Sequence, residues 1–281
     1  MTVSEALRGA AHDLAGISDT PRLDAELLMA ECLGVSRSTL LLNRMHDDVP
    51  PAFDAVIARR GAHEPVAYII GRQDFWTLTL QVSPAVLIPR SDSETLIEAA
   101  IEALAAEPPQ RILDLGTGSG ALLLAALAHW PGALGMGIDA SDAALSIARV
   151  NASALGYSDR AQMQHGDWRR PGWQDALPGP FDLILCNPPY VETAAMLAPQ
   201  VIQHEPHSAL FAGDEGLDDY RILIPALPGL LSPQGIAILE IGASQSLAVS
   251  ALAAASAFDI ECRKDLAGHD RALILRYAAR A

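Results

Sequence analysis

The sequence predicts an α/β chain: a doubly wound, mainly parallel sheet of seven strands behind a small helical domain. Two patterns and one motif predict it. Residues 1–72 repeat apolar side chains at helical spacing. From Arg111 onward, short apolar runs alternate with helix-length stretches, which is the pattern of a parallel sheet covered on both faces. A glycine-rich turn, Asp114–Gly120, falls at a junction between a predicted strand and a predicted helix.

The helical part opens on Thr2 and Glu5, which have capping-box spacing ahead of Ala6, Leu7, Ala10 and Leu14. Thr20-Pro21 supplies a cap and an N1 proline for a helix through Leu23, Leu27 and Leu28, which Gly34 stops. A short helix is expected at Thr39–Leu42, and Pro50-Pro51 opens another through Phe53, Val56 and Ile57. Apolar and polar residues alternate from Trp76 to Val82, the signal of a half-buried strand and of a hairpin linking the two halves. Ser91 and Glu94 again have capping-box spacing, before Leu96, Ile97, Ala100 and Ile101. The expected strands are Arg111–Leu115, Leu134–Asp139, Ala161–Gly166, Phe181–Cys186, Ile236–Ile241, Asp259–Lys264 and Ala272–Tyr277, the last two an antiparallel pair at one edge. The predicted domains are therefore 1–73 (helical), 74–90 (hairpin linker) and 91–281 (α/β).

Composition narrows the function classes. With 281 residues, half of them hydrophobic, the chain can bury two cores. A net charge of −15 makes it a poor candidate for gripping duplex DNA, because phosphate contacts need Lys and Arg. The cysteines Cys32, Cys186 and Cys262 are odd in number and far apart, so neither a disulfide framework nor a metal site is expected, and a reducing cytoplasm fits. Met1–Leu14 carries Glu5 and Asp13 and lacks the apolar core of a secretory leader. The longest apolar runs, such as Ala121–Ala128, are too short to span a bilayer. A monomer is the default expectation.

The loop Gly116-Thr117-Gly118-Ser119-Gly120 lets the backbone turn tightly and approach a ligand. Its third glycine comes one residue too early for the G-x-G-x-x-G of dinucleotide enzymes, which suits a ligand without a pyrophosphate. Asp139 ends the next strand about twenty residues on, where an acid accepts hydrogen bonds from ribose hydroxyls. A lone aspartate at a strand end is more often a helix cap, but Ser141 is available for that duty. Asp167-Trp168 follows the third strand, where a carboxylate can meet an adenine amino group and an indole can cover its face. Ordinary packing of Trp168 is an equally good reading of that residue.

The tetrapeptide Asn187-Pro188-Pro189-Tyr190 sits at the carboxyl end of the fourth strand, the edge at which open α/β sheets bind ligands. A planar NH2 group carries two donors in one plane. The Asn187 side-chain oxygen and the Pro188 carbonyl can accept both, holding the nitrogen toward a sulfonium methyl, while Tyr190 packs against the amide or base plane. Alone, the string also reads as a Pro-Pro turn that merely ends a strand.

With these residues placed, the chain resembles the HemK/PrmC family of protein-(glutamine-N5) methyltransferases. The likeness runs through Glu64–Tyr68, Gly71–Val82 with Phe75-Trp76, Leu87–Arg90, Asp114–Gly120, Asp139, Asp167-Trp168, Asn187–Tyr190, Glu205-Pro206, Glu240–Gly242 and Asp265–Arg271. It implies a Rossmann-like class I methyltransferase fold and S-adenosyl-L-methionine as cofactor, leaving as S-adenosyl-L-homocysteine. It also implies cofactor contacts at Gly116–Gly120, Asp139, Trp168 and Asn187, with Phe75 and Arg90 on the substrate side. The implied acceptor is the GGQ glutamine of peptide chain release factors, held with help from the helical domain. One departure is visible: Pro89-Arg90 is followed by Ser91-Asp92-Ser93-Glu94, where the family usually has Pro, an acid, Thr and Glu. Adenine-N6 methyltransferases share the Asn-Pro-Pro-aromatic string, but they must grip phosphates, and the acidic balance argues against one. A binding module without chemistry is the third reading, and the intact tetrapeptide argues against it.

Overall fold

The computed structural model describes residues 1–277; the last four positions of the predicted α/β domain lie outside the described residues. The chain divides into two compact units, Met1–Arg72 with Leu197–Glu205, and Gln73–Met196 with the residues from Pro206 onward. The helical unit therefore includes a segment far along the sequence, beyond the predicted bound of 1–73.

The helical unit contains α1 (Val3–Asp13), α2 (Pro21–Leu33), α3 (Arg37–Asn43), α4 (Phe53–Gly61) and α5 (Val66–Ile70). The expected box at α1 forms: Thr2 Oγ1 accepts from the Glu5 amide and Glu5 accepts from the Thr2 amide. Thr20 does not cap α2, because its hydroxyl donates instead to Asp24 at 3.1 Å, although Pro21 at the first position and left-handed Gly34 at the end are as expected. On α2, Asp24 is paired with Arg60 at 2.7 Å and Glu26 with Arg22 and Arg37. These acids are buried but partnered, which is the condition on which buried charge is tolerated.

A hairpin follows, β1 (Arg72–Phe75) and β2 (Leu78–Gln81), all of it but Arg72 in the second unit. The expected strand through Trp76 is interrupted, since Trp76 takes φ +57° in the turn. The capping box expected at Ser91 is also absent. Residues 91–93 form one 3-10 turn, and the Glu94 carboxylate accepts from the Trp76 amide at 2.8 Å, satisfying the donor that the tight turn strands. Then follow α6 (Glu94–Ala103), β3 (Arg111–Leu115), α7 (Ala121–His129), β4 (Leu134–Asp139), α8 (Asp142–Ala154), β5 (Ala161–His165) and β6 (Phe181–Cys186). After β6 the chain supplies α9 (Pro199–His204) to the helical unit, where Arg60 donates to Gln200 at 3.1 Å. It returns as α10 (Asp218–Leu230), β7 (Leu231–Glu240), α11 (Ser246–Ala255), β8 (Phe258–Lys264) and β9 (Asp270–Tyr277). β7 starts five residues before the expected Ile236, its first pairing being Leu231 with Phe181.

The sheet has seven strands in the order β5-β4-β3-β6-β7-β9-β8. The first five are parallel, and β9 is antiparallel to both β7 and β8. Alternate strand residues feed two cores, one on each face. Ile112, Leu183 and Ile236 join α6, α7 and α8; Leu113, Ile184 and Ala237 join α10 and α11. Burial on both faces explains why the central strands read as continuous apolar runs. Chain order reverses between β3 and β6, so the switch point of the sheet lies between them.

Candidate active site

Leu115 and Cys186 are register partners at the carboxyl ends of β3 and β6. The glycine loop and the tetrapeptide therefore leave the sheet side by side, over a cavity of about 340 Å³. Its wall carries Gly116, Thr117, Gly118, Ser119, Asp139, Asp167, Trp168, Asn187, Pro189, Phe75 and Arg90. Gly120, Pro188 and Tyr190 do not line it.

The loop is held from three sides. The amides of Gly116 and Thr117 both donate to the Ile138 carbonyl at 2.9 Å, and the Gly118 amide donates to Asp139 Oδ2 at 2.9 Å. Asn151 bridges the Ser119 carbonyl and the Gln81 backbone, tying hairpin to loop. Gly116 has φ +73°, and a Cβ there would meet the Trp168 ring at 3.0 Å; Gly118 has φ +55°. These two positions need glycine for the left-handed backbone and, at Gly116, for indole contact.

The acids of the site are not equivalent. Asp114, 1% exposed, accepts from Thr117 Oγ1 at 2.6 Å through Oδ2, while Oδ1 has no hydrogen-bond partner among the described residues. It lies on the cavity wall, and burial pushes it up to about 7. Asp139 accepts from Gly118 and from the Ser141 amide, and Ser141 Oγ caps α8, which leaves lone pairs of the carboxylate at the cavity. Burial raises Asp139 as well. Asp167 is engaged by Arg170 at 3.2 Å and by the Arg169 amide at 3.0 Å. Trp168 is fixed by its Nε1 donating to Asp219 at 2.6 Å, and Arg169 makes a two-pronged contact to the same carboxylate at 3.2 and 2.9 Å.

At the tetrapeptide, Asn187 Nδ2 donates to Ser93 Oγ at 3.3 Å. Tyr190 turns its hydroxyl to Glu240 Oε1 at 3.2 Å, and burial holds its phenol far above the ordinary tyrosine range. Sequence reasoning missed Ser93, Glu240 and Asp219. Glu240 lay within a family-like string without an assigned part, and Ser93 was visible only as a departure. The buried, unpartnered Asp114 oxygen shares the cavity with the Asp139 carboxylate and the Trp168 indole, a set that fits a ligand bearing an ammonium, a ribose and a purine.

A glycine loop and an Asn-Pro-Pro-Tyr turn paired across one strand register, beside those acids, define an α/β methyltransferase that uses S-adenosyl-L-methionine. Sequence comparison narrows this class. Residues 5–71 match the family model of the PrmC N-terminal domain, and residues 107–256 match a methyltransferase domain. The chain is 44% identical to the release factor glutamine methyltransferase of Rhodospirillum rubrum, over 95% of this chain and 82% of that protein. It is 41% identical to that of Caulobacter vibrioides, over 92% and 90%. The chain belongs to the release factor glutamine methyltransferase family. A methyltransferase structure from Pyrococcus furiosus shares the fold, with TM-score 0.55, 14% identity, and 80% and 98% of the two chains covered.

Proposed function

We propose that the protein transfers a methyl group from S-adenosyl-L-methionine to the side-chain amide nitrogen of the GGQ glutamine in peptide chain release factors. The observation that carries this reading is the Asn187–Ser93 bond: it engages Nδ2 and leaves the side-chain oxygen for an incoming NH2. The cofactor supplies a methyl carbon on a positively charged sulfur and leaves as S-adenosyl-L-homocysteine, and the methylated nitrogen then gives one proton to solvent.

Asn187 Oδ1 and the Pro188 carbonyl accept the two amide hydrogens of the substrate. An amide nitrogen is a weak nucleophile, and two acceptors raise its electron density and stabilise the positive charge that develops on it. Positioning supplies much of the remaining rate. Tyr190, anchored on Glu240, stiffens the turn and packs its ring toward the acceptor plane. Phe75, Pro189 and Arg90 wall the substrate side. Asp139 accepts from the ribose hydroxyls, Asp114 Oδ1 faces the ammonium, and Asp167 with Trp168 receives the adenine. Gly116 to Gly120 let the ligand approach the backbone.

The helical unit holds the release factor. The enzyme works as a cytoplasmic monomer and does not engage DNA directly. Among the described residues, no helix is long and apolar enough to cross a membrane. Labelled methyl transfer tests the reading: release factor is labelled, and Gln→Ala in its GGQ tripeptide abolishes the label. Labelling of DNA or RNA but not of release factor overturns it.

A further inference from the structure

Neither proline of the turn Asn187-Pro188-Pro189-Tyr190 has an N–H, so no amide at 188 or 189 can tie it down. Its anchors have to lie at its two ends. Upstream, Cys186 is held in the sheet, in register with Leu115 on β3 and Leu239 on β7. Downstream, the peptide between Tyr190 and Val191 is bound on both sides. The Val191 amide donates to the Leu210 carbonyl at 2.8 Å, and the Tyr190 carbonyl accepts from Gln245 Nε2 at 3.0 Å.

Gln245 stands 55 positions further along the chain and is half-buried. Its Nε2 also donates to the Gly216 carbonyl at 3.2 Å, and its Oε1 accepts from the Gly242 amide at 3.0 Å. The carboxamide therefore has one orientation. Turned over, it would set an NH2 against the Gly242 amide and an oxygen against two carbonyls. The seat is built of glycine because the approach is close. A Cβ at Gly216 would overlap the Tyr190 carbonyl oxygen and fall 2.7 Å from Gln245 Nε2, and a Cβ at Gly242 would fall 2.9 Å from Oε1. Gln245 opens α11, yet its side chain makes no capping bond to that helix, and it does not line the cavity. What it holds is the end of the tetrapeptide.

We infer that Gln245 is a positioning residue that fixes the downstream end of the tetrapeptide and, through it, the Pro188 carbonyl. With Cys186 held by the sheet and the Tyr190–Val191 peptide held by Gln245, the turn is closed at both ends, and two of its residues have φ set by their rings. The Glu240 contact orients the Tyr190 ring, whereas Gln245 orients the backbone. The inference rests on the proposed use of the Pro188 carbonyl and Asn187 as acceptors for the substrate amide.

Two variants of the full-length enzyme test it, beside the parent and Asn187→Ala. Gln245→Met keeps the length and loses the hydrogen bonds. Gln245→Glu keeps an acceptor for Gly242 and loses the donor to Tyr190. Each is assayed with release factor for kcat and KM, by calorimetry for the S-adenosyl-L-methionine Kd, and by hydrogen exchange read peptide by peptide. Both variants lower kcat about tenfold, the scale of a shift of a fraction of an ångström at a reacting centre. KM for release factor and the cofactor Kd stay within about twofold. Exchange quickens in the peptide spanning 187–193 and is unchanged in α11, a readout that does not depend on turnover. If both Gln245 variants keep parental kcat while Asn187→Ala loses it, the anchor is wrong and the acceptor site stands. If Asn187→Ala itself keeps parental kcat, the acceptor site is misread and the inference falls with it. If exchange quickens in α11, or cofactor binding weakens together with kcat, Gln245 is an ordinary structural support and the inference is overturned.

Discussion

Asn187 Nδ2 lies 3.3 Å from the hydroxyl of Ser93, a residue 94 positions earlier. That contact joins the entrance of α6 to the end of β6, and it gives the carboxamide a defined orientation above the cavity. In the proposed mechanism, Asn187→Ala removes the oxygen offered to the substrate amide. Turnover is expected to fall about 100-fold, in the range lost with one electrostatic donor or acceptor at a reacting centre, while cofactor affinity changes by less than about threefold (under 1 kcal/mol). Steady-state kinetics set against calorimetry separate the two.

Asp219 is fully buried and holds both Trp168 and Arg169. Trp168 in turn packs against Gly116. Asp219→Ala frees the indole and leaves a half-exposed Arg169 that water can solvate. The expected result is cofactor affinity weakened about tenfold, or roughly 1.4 kcal/mol, with kcat at saturating cofactor close to the parent. Calorimetric titration checks it.

Gly116→Ala puts a Cβ 3.0 Å from the Trp168 ring at φ +73°. The left-handed backbone alone costs about 1 kcal/mol for alanine, and the indole must move. Thermal unfolding is expected a few degrees lower, and cofactor binding weaker. A variant that binds as tightly as the parent would remove Trp168 from the binding wall.

Asp114 is raised from 3.8 to about 7, chiefly by burial. The folded state therefore holds a proton that the unfolded state has released between those values. Its contribution to stability is present at low pH and is lost as pH rises through that window. The ionised form is the one that attracts an ammonium, so cofactor affinity moves the other way and weakens as pH falls below about 7. In Asp114→Asn the cofactor Kd is weaker and less dependent on pH across that range. The apo variant gains stability over the parent at pH 8 relative to pH 5, read by thermal melts.

Much of this was legible in the sequence. Arg111–Leu115, Leu134–Asp139 and Phe181–Cys186 keep their expected bounds because strands buried on both faces leave unbroken apolar runs with sharp ends. The glycine loop, Asp139 and Asn187 could be placed because each sits at a strand end, and the topology of a parallel sheet gathers strand ends. What escaped depends on pairing at a distance. Asp219 meets Trp168 across 51 positions, and Tyr190 meets Glu240 across 50. Ser91 and Glu94 had the right spacing for a cap, yet Glu94 answers the stranded amide of Trp76 and Ser93 answers Asn187. Local periodicity carries no trace of such demands. Nor does it show that α9 packs with the helical unit.

The central claim is a methyl group placed on one glutamine nitrogen of a protein. Release factor, a DNA duplex, RNA and free glutamine are incubated in parallel with enzyme and S-adenosyl-L-methionine, and the products are mapped by peptide mass spectrometry. One added methyl on the GGQ glutamine of release factor, with the other three acceptors unmodified, is the predicted result. A methylated nucleobase with an unmodified GGQ peptide would contradict it.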